Sequence, residues 1–124
     1  MTIYSDNLIY IEIHESEIPW LKIFSKREIK EFSHCTSEEK QAIWTALDVI
    51  EREMLDLFKP EKINIAQFGN YLPHLHWHIM ARFKEDSYFP EPMWGAEQRS
   101  GSYVLEGMDI FTALITKKLE SLKL

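Results

Sequence analysis

Three of the chain's histidines stand at alternate positions in one short stretch, His74-Leu75-His76-Trp77-His78-Ile79-Met80. In an extended segment successive side chains point to opposite faces. His74, His76 and His78 then share one face, while Leu75, Trp77 and Ile79 share the other and pack on a core. A free imidazole titrates near pH 6.5, so at neutral pH it offers both a lone pair and an N–H. Such a group attacks phosphorus, donates hydrogen bonds or binds a metal. Strand spacing separates these uses: neighbouring rings lie about 6.6 Å apart and the outer two about 13 Å. A zinc ion with bonds of about 2.1 Å spans two adjacent rings but hardly all three. A metal site built on His74 and His76 therefore needs further ligands, for which His14, His34 and Cys35 are the candidates. In the other chemistry, one imidazole attacks phosphorus and a phosphorylated or nucleotidylated histidine is later released by water. Its neighbours hold the nonbridging oxygens and protonate the departing group. A half-buried strand with three idle surface histidines is the plain alternative. On these residues alone, metal binding and nucleophilic catalysis both stay open.

Several elements must position this row. Residues 8–13 (Leu-Ile-Tyr-Ile-Glu-Ile) and 20–24 (Trp-Leu-Lys-Ile-Phe) are rich in β-branched and aromatic residues and predict an antiparallel strand pair joined through residues 16–19. Residues 25–33 are charged and predict a solvated loop or short helix. Thr36-Ser37-Glu38-Glu39 has capping-box spacing, with Thr36 as N-cap and Glu39 at N3. From there to about residue 58, Ile43, Ala46, Leu47, Ile50, Met54 and Leu57 fall on one helical face, and Pro60 marks the stop. Residues 62–68 alternate and predict a third strand, leading through Gly69-Asn70 into the histidine strand over about 75–83. Residues 84–101, with Pro90, Pro92, Trp94 and Gly95, predict an irregular loop of the kind that forms a lid or specificity wall. Asp109 is the expected cap of a final helix to about residue 122, with Ile110, Leu114 and Leu119 facing inward. No repeats, linkers or low-complexity tracts interrupt the chain, so one α+β domain over residues 1–124 is the economical organisation.

A chain of 124 residues buries a respectable core but is too short for a (β/α)8 barrel. Net charge is −6 with signs interspersed, which argues against coating nucleic acid, since phosphate-backbone binding needs a basic patch. A small anionic ligand needs only local donors. The single cysteine, Cys35, excludes an internal disulfide framework and fits a reducing compartment. The first residues lack a signal-peptide pattern, and no apolar run approaches membrane-spanning length. A cytoplasmic protein without membrane partners is expected. Cys35 precedes a helix N-terminus that favours a thiolate, but a lone cysteine is more often a packed one. His14 and His34 are expected at the surface or in packing, and Arg82, Lys84 and Arg99 in solvent. Trp94 either closes over a base or anchors its loop.

His74-Leu-His76-Trp-His78-Ile-Met80 resembles the His-φ-His-φ-His-φ-φ signature of the histidine-triad (HIT) family, where φ is apolar. Asn64, Gly69 and Asn70 stand where that family often has an Asn, a Gly and a Gln or Asn. The element order over roughly residues 3–83 is similar, and Pro90-x-Pro92-x-Trp94 resembles a bacterial subgroup. The resemblance implies an antiparallel sheet of about five strands with a long helix and a C-terminal helix. It implies a nucleotide hydrolase or nucleotidyl transferase acting at an α-phosphate, without cofactor or metal, as a homodimer. By motif position His76 corresponds to the nucleophile, His78 to the residue bonding phosphate or leaving group, and His74 to the nucleophile's support. Asn70 corresponds to a phosphate-side donor, Gly69 belongs to the same motif, and Asn64 corresponds to a contact near the nucleotide. The sequence departs from the family at Trp20, where many members carry a fourth histidine, and at Tyr71, where Ser or Thr is usual. Glu12, His14 and Glu15 are the candidates for the ribose contact. A nucleotide-binding homologue without turnover is the non-enzyme alternative.

Overall fold

The β-branched and alternating stretches build one sheet. The structure is a computed structural model and describes residues 1–122. Its strands are β1 (Thr2–Ser5), β2 (Ile9–Ile13), β3 (Trp20–Ser25), β4 (Lys62–Gln67) and β5 (His76–Arg82). They run in the order β1-β2-β3-β5-β4 with every neighbouring pair antiparallel. The histidine strand thus lies inside the sheet between β3 and β4, where both of its backbone edges are bonded. Four of these strands match the sequence expectation. β1 was not anticipated: it is short, its register shifts between Thr2 and Tyr4, and only pairing with β2 makes it a strand.

One face of the sheet is apolar. Ile11, Leu21, Ile23, Ile79 and Ala81 are fully buried there, beneath Ile43, Ile50 and Met54 of the helix α1 (Ser37–Phe58). Each large aliphatic side chain so buried stabilises the fold by about 1.5–3 kcal/mol relative to exposure. The capping box forms as its spacing predicts: Glu39 N–H donates to Thr36 Oγ1 at 3.1 Å, and Thr36 N–H donates to Glu39 Oε1 at 2.7 Å. Arg27 adds a two-pronged bond to the same carboxylate, at 2.7 and 2.8 Å. The helix stops at Lys59, whose φ of 49° is left-handed, just before Pro60. Leu57, in the last turn, points outward rather than into the core.

The second helix, α2 (Met108–Leu122), packs on α1 and β1. It buries Phe111, Ile115 and Leu119, while Ile110 and Leu114 face out. Two apolar stripes were available at helical spacing, and Phe111 decides between them by packing edge-on against Phe58 at 5.1 Å. Asp109 lies within the first turn rather than capping it, because the helix already begins at Met108 after Gly107 at φ +82°. Among the described residues no helix is long and apolar enough to cross a membrane.

Candidate active site

Register places the site. Across β3 and β5, Trp20 pairs with Met80, Lys22 with His78 and Phe24 with His76, so these side chains share the face opposite α1. Tyr10 and Glu12 of β2, and Asn64 and Ala66 of β4, extend that face. His74 precedes β5, yet its ring lies on the same side, edge-on to Phe24 at 5.4 Å and Tyr10 at 6.0 Å.

Each imidazole's hydrogen bond assigns its protons. A carbonyl only accepts, so His74 donates Nε2–H to the Ser25 carbonyl at 2.7 Å, which ties the turn before β5 to the end of β3. By the same logic His76 donates Nδ1–H to the His74 carbonyl at 2.7 Å. The neutral His76 ring therefore keeps its lone pair on Nε2, and stacking on Phe24 at 4.9 Å fixes the ring's plane. His78 is different. The indole of Trp20 only donates, and its Nε1–H points into His78 Nδ1 at 3.0 Å. The acceptor lone pair of His78 is thus on Nδ1 and its proton on Nε2. Burial, then the His76, His14 and Lys22 charges, push the His78 pKa down to about 4. At neutral pH it is an uncharged donor beside His76, with ring centroids 4.9 Å apart.

Aromatic rings wall this pair. Trp94 stands edge-on to His78 at 4.9 Å, to Trp20 at 5.3 Å and to Phe68 at 4.8 Å. His14, expected at the surface or in packing, packs: it stacks on Trp20 at 3.9 Å and lies on the site face. Burial first, then Lys22, lower its pKa against the pull of Glu15. Lys22 carries no motif that singles it out in the sequence, although alternation in Trp20-Leu-Lys22-Ile-Phe24 already puts it beside the two aromatics. It is the cation that stands across from His78.

Arg82 corrects a further expectation. Instead of lying in solvent it is buried, donating to both Asp86 oxygens at 3.0 Å, to Asn64 Oδ1 at 2.9 Å and to the Glu91 carbonyl at 2.7 Å. Asp86 also accepts the backbone N–H groups of Phe83, Tyr88 and Phe89, and its carbonyl accepts from Arg99. Glu17 holds Ser87 from the connection before β3. The irregular segment after β5 is thereby clamped to the sheet, and Trp94 with it. Of the sequence-derived contact residues, Asn64 joins this clamp, while Gly69 forms a turn at φ +82°. Asn70 is exposed and makes no side-chain hydrogen bond among the described residues. Cys35 is packed, and burial raises its pKa, which disfavours a thiolate.

Among the described residues no three His, Cys, Asp or Glu side chains converge in a metal-binding arrangement. His74 and His76 each commit one ring nitrogen to a carbonyl and keep the other, and no further ligand converges on the pair among the described residues. Cavities of about 540 and 520 Å³ lie by β1 and the helices, lined by Thr2, Ser5 and Glu120 and by Leu8, Gln41 and Leu119. They do not include the histidines, which sit on an open face.

A row of imidazoles on the open face of a five-stranded antiparallel sheet, backed by one long helix, defines the class as an α+β histidine-triad architecture. Residues 2–85 match the model of the HIT domain, and the chain belongs to the HIT family. Among solved structures it resembles a histidine triad protein from Marinobacter aquaeolei at 26% identity and TM-score 0.78, covering 99% of this chain and 90% of that one. A histidine triad protein from Bradyrhizobium japonicum is 25% identical with TM-score 0.77, covering 96% and 90%. One from Sinorhizobium meliloti is 26% identical with TM-score 0.76, covering 94% and 87%. No curated protein matches the sequence. Family membership supports a nucleotide-binding or hydrolase type of function.

Proposed function

We infer that this chain is a nucleotide hydrolase or nucleotidyl transferase that attacks the α-phosphate of a nucleoside phosphate derivative through His76. The observation that carries this is the bond from His76 Nδ1–H to the His74 carbonyl, which leaves the Nε2 lone pair free beside the neutral donor His78. His76 Nε2 forms the bond to phosphorus as the leaving group departs, and water then releases the nucleotide. His78 holds a phosphate oxygen through Nε2–H, and His74 supplies the carbonyl that orients the nucleophile. Asn70 and the Gly69 turn meet the phosphate from the loop before the row, and Asn64 lies toward the nucleotide. No resident metal or cofactor enters these steps.

His76→Ala is expected to abolish turnover of a dinucleoside polyphosphate or of adenosine 5′-phosphoramidate while the far-ultraviolet circular dichroism stays unchanged. Undiminished turnover by the variant overturns the assignment. Tight nucleotide binding without wild-type turnover of any compound in a broad panel identifies a binding protein instead.

The active form is read as a cytoplasmic homodimer of one HIT-like domain over residues 1–124. Support for pairing comes from β4, one of the two edge strands, beside which Ile65, Phe68 and Trp44 are exposed. Trp77 Nε1 is also buried there without a hydrogen-bond partner among the described residues.

A further inference from the structure

We propose that Trp20 confines this site to leaving groups that depart as weakly basic anions, so that the substrate holds its nucleotidyl group in an anhydride with phosphate, polyphosphate or carboxylate rather than in a phosphoramidate. The proposal deepens the nucleotidyl-transfer function above and rests on it.

The proton inventory carries the inference. When His76 Nε2 bonds to phosphorus, the bond to the leaving atom breaks and its electron pair stays on that atom. An anhydride oxygen keeps the pair as a phosphate or carboxylate anion and needs no proton. A phosphoramidate nitrogen must collect a proton as the P–N bond breaks, because an amide anion is far too basic to leave. The neighbouring proton is on His78 Nε2. Giving it up would turn that ring into an imidazolate, since Nδ1 holds only a lone pair and faces Trp20 Nε1–H at 3.0 Å. An indole N–H is not an acid at neutral pH, and the indole has no lone pair with which to accept a proton in return. Trp20 therefore holds His78 as a hydrogen-bond donor and blocks its use as a general acid. In the second step water forms its bond to phosphorus, the pair of the N–P bond returns to His76 Nε2, and the water proton passes to solvent.

The groups around His78 reinforce this. His76 faces it from β5, Lys22 and Trp20 from β3, and His14 from beyond β2, with Phe68 and Trp94 as apolar walls. Glu12 stands across from Lys22 and Glu15 follows His14, and neither bonds to His78 among the described residues. The Lys22 ammonium, paired across the strands with His78, disfavours an imidazolium there and suits a departing anion. The depressed His78 pKa agrees with that balance.

The test compares diadenosine tetraphosphate with adenosine 5′-phosphoramidate, which present the same adenylyl group. The wild-type kcat/KM is expected to favour the anhydride by about 10²-fold or more, the scale of a lost general acid. Trp20→His, which restores a ring able to pass a proton to Nδ1, is expected to raise the phosphoramidate rate about tenfold or more relative to the anhydride. Nitrogen NMR on labelled wild-type protein is expected to show His78 Nδ1 unprotonated near neutral pH, and in Trp20→Phe that nitrogen protonates at a higher pH. Equal wild-type rates, a parallel change of both rates in Trp20→His, or a protonated His78 Nδ1 overturns the proposal and leaves the His76 function standing. A wild-type protein that turns over neither of these nor any other compound in the broad panel overturns that function and this proposal together.

Discussion

Replacing Asp86 by Asn tests whether the clamp behind the site is as strong as its geometry implies. The change keeps the side chain's volume and removes its charge. In the wild type one carboxylate oxygen accepts from Arg82 Nη2, Tyr88 N and Phe89 N, and the other from Arg82 Nε and Phe83 N. An amide keeps one of these oxygens and puts an NH₂ against the donors of the other. Burial by itself would raise the Asp86 pKa, yet Arg82 and the backbone N–H groups hold it below the ordinary carboxylate value. The variant strands the Arg82 guanidinium in a site where it is 1% exposed. Breaking a buried pair by removing one partner costs about 3–5 kcal/mol, against a typical total stability of about 5–15 kcal/mol. With a urea m-value of about 1–3 kcal/mol/M, the unfolding midpoint should fall by about 1–5 M. Amide exchange at Tyr88 and Phe89 should quicken in the folded state. The exposed pair Lys84–Glu61, at 3.7 Å, is the control, and Lys84→Ala should cost less than about 1 kcal/mol. A loss for Asp86→Asn no larger than that control, with exchange at Tyr88 and Phe89 unchanged, would refute the clamp.

Protonation of His78 gives a second expectation. Its folded pKa of about 4 lies below the ordinary value of 6.5, so between the two the unfolded chain binds the extra proton. Its full contribution is present above pH 6.5 and is lost as pH falls toward 4, to a total of about 3 kcal/mol. Urea titrations should show a shallower loss over that window in His78→Asn, which retains an acceptor for Trp20; parallel curves would contradict the assignment. At the helix start, the Arg27 hydrogen bonds, against the effect of burial, hold Glu39 at about 2. Glu39→Gln should cost about 1 kcal/mol at neutral pH, a deficit that shrinks as pH falls from 4.5 toward 2, where wild-type Glu39 also gains its proton. A deficit independent of pH in chemical denaturation would show that charge plays no part in that cap.

Local order was readable wherever neighbours in sequence are neighbours in space. Thr36 and Glu39 are three residues apart and close their capping box within one helical turn. The alternation that sets His76 and His78 against Trp77 and Ile79 is likewise a property of the extended backbone. Long-range partners were hidden. Arg82 carries no mark distinguishing it from Lys84, yet one is buried on Asp86 and the other lies in solvent. In α2 either apolar stripe satisfies helical periodicity, and only Phe58, far along the chain, selects Phe111 and Ile115 over Ile110 and Leu114.

The sequence by itself determined the elements, the shared face of three imidazoles and the family signature, because backbone periodicity and capping act over a few residues. The tertiary structure decided what each imidazole can do. Its proton positions follow from partners that register brings together: the Ser25 carbonyl for His74, the His74 carbonyl for His76 and the Trp20 indole for His78. The loop that carries Trp94 is likewise held in place by Arg82 and Asp86. A hydrogen bond across 58 residues of chain has no local signal, since it exists only once β3 and β5 lie side by side.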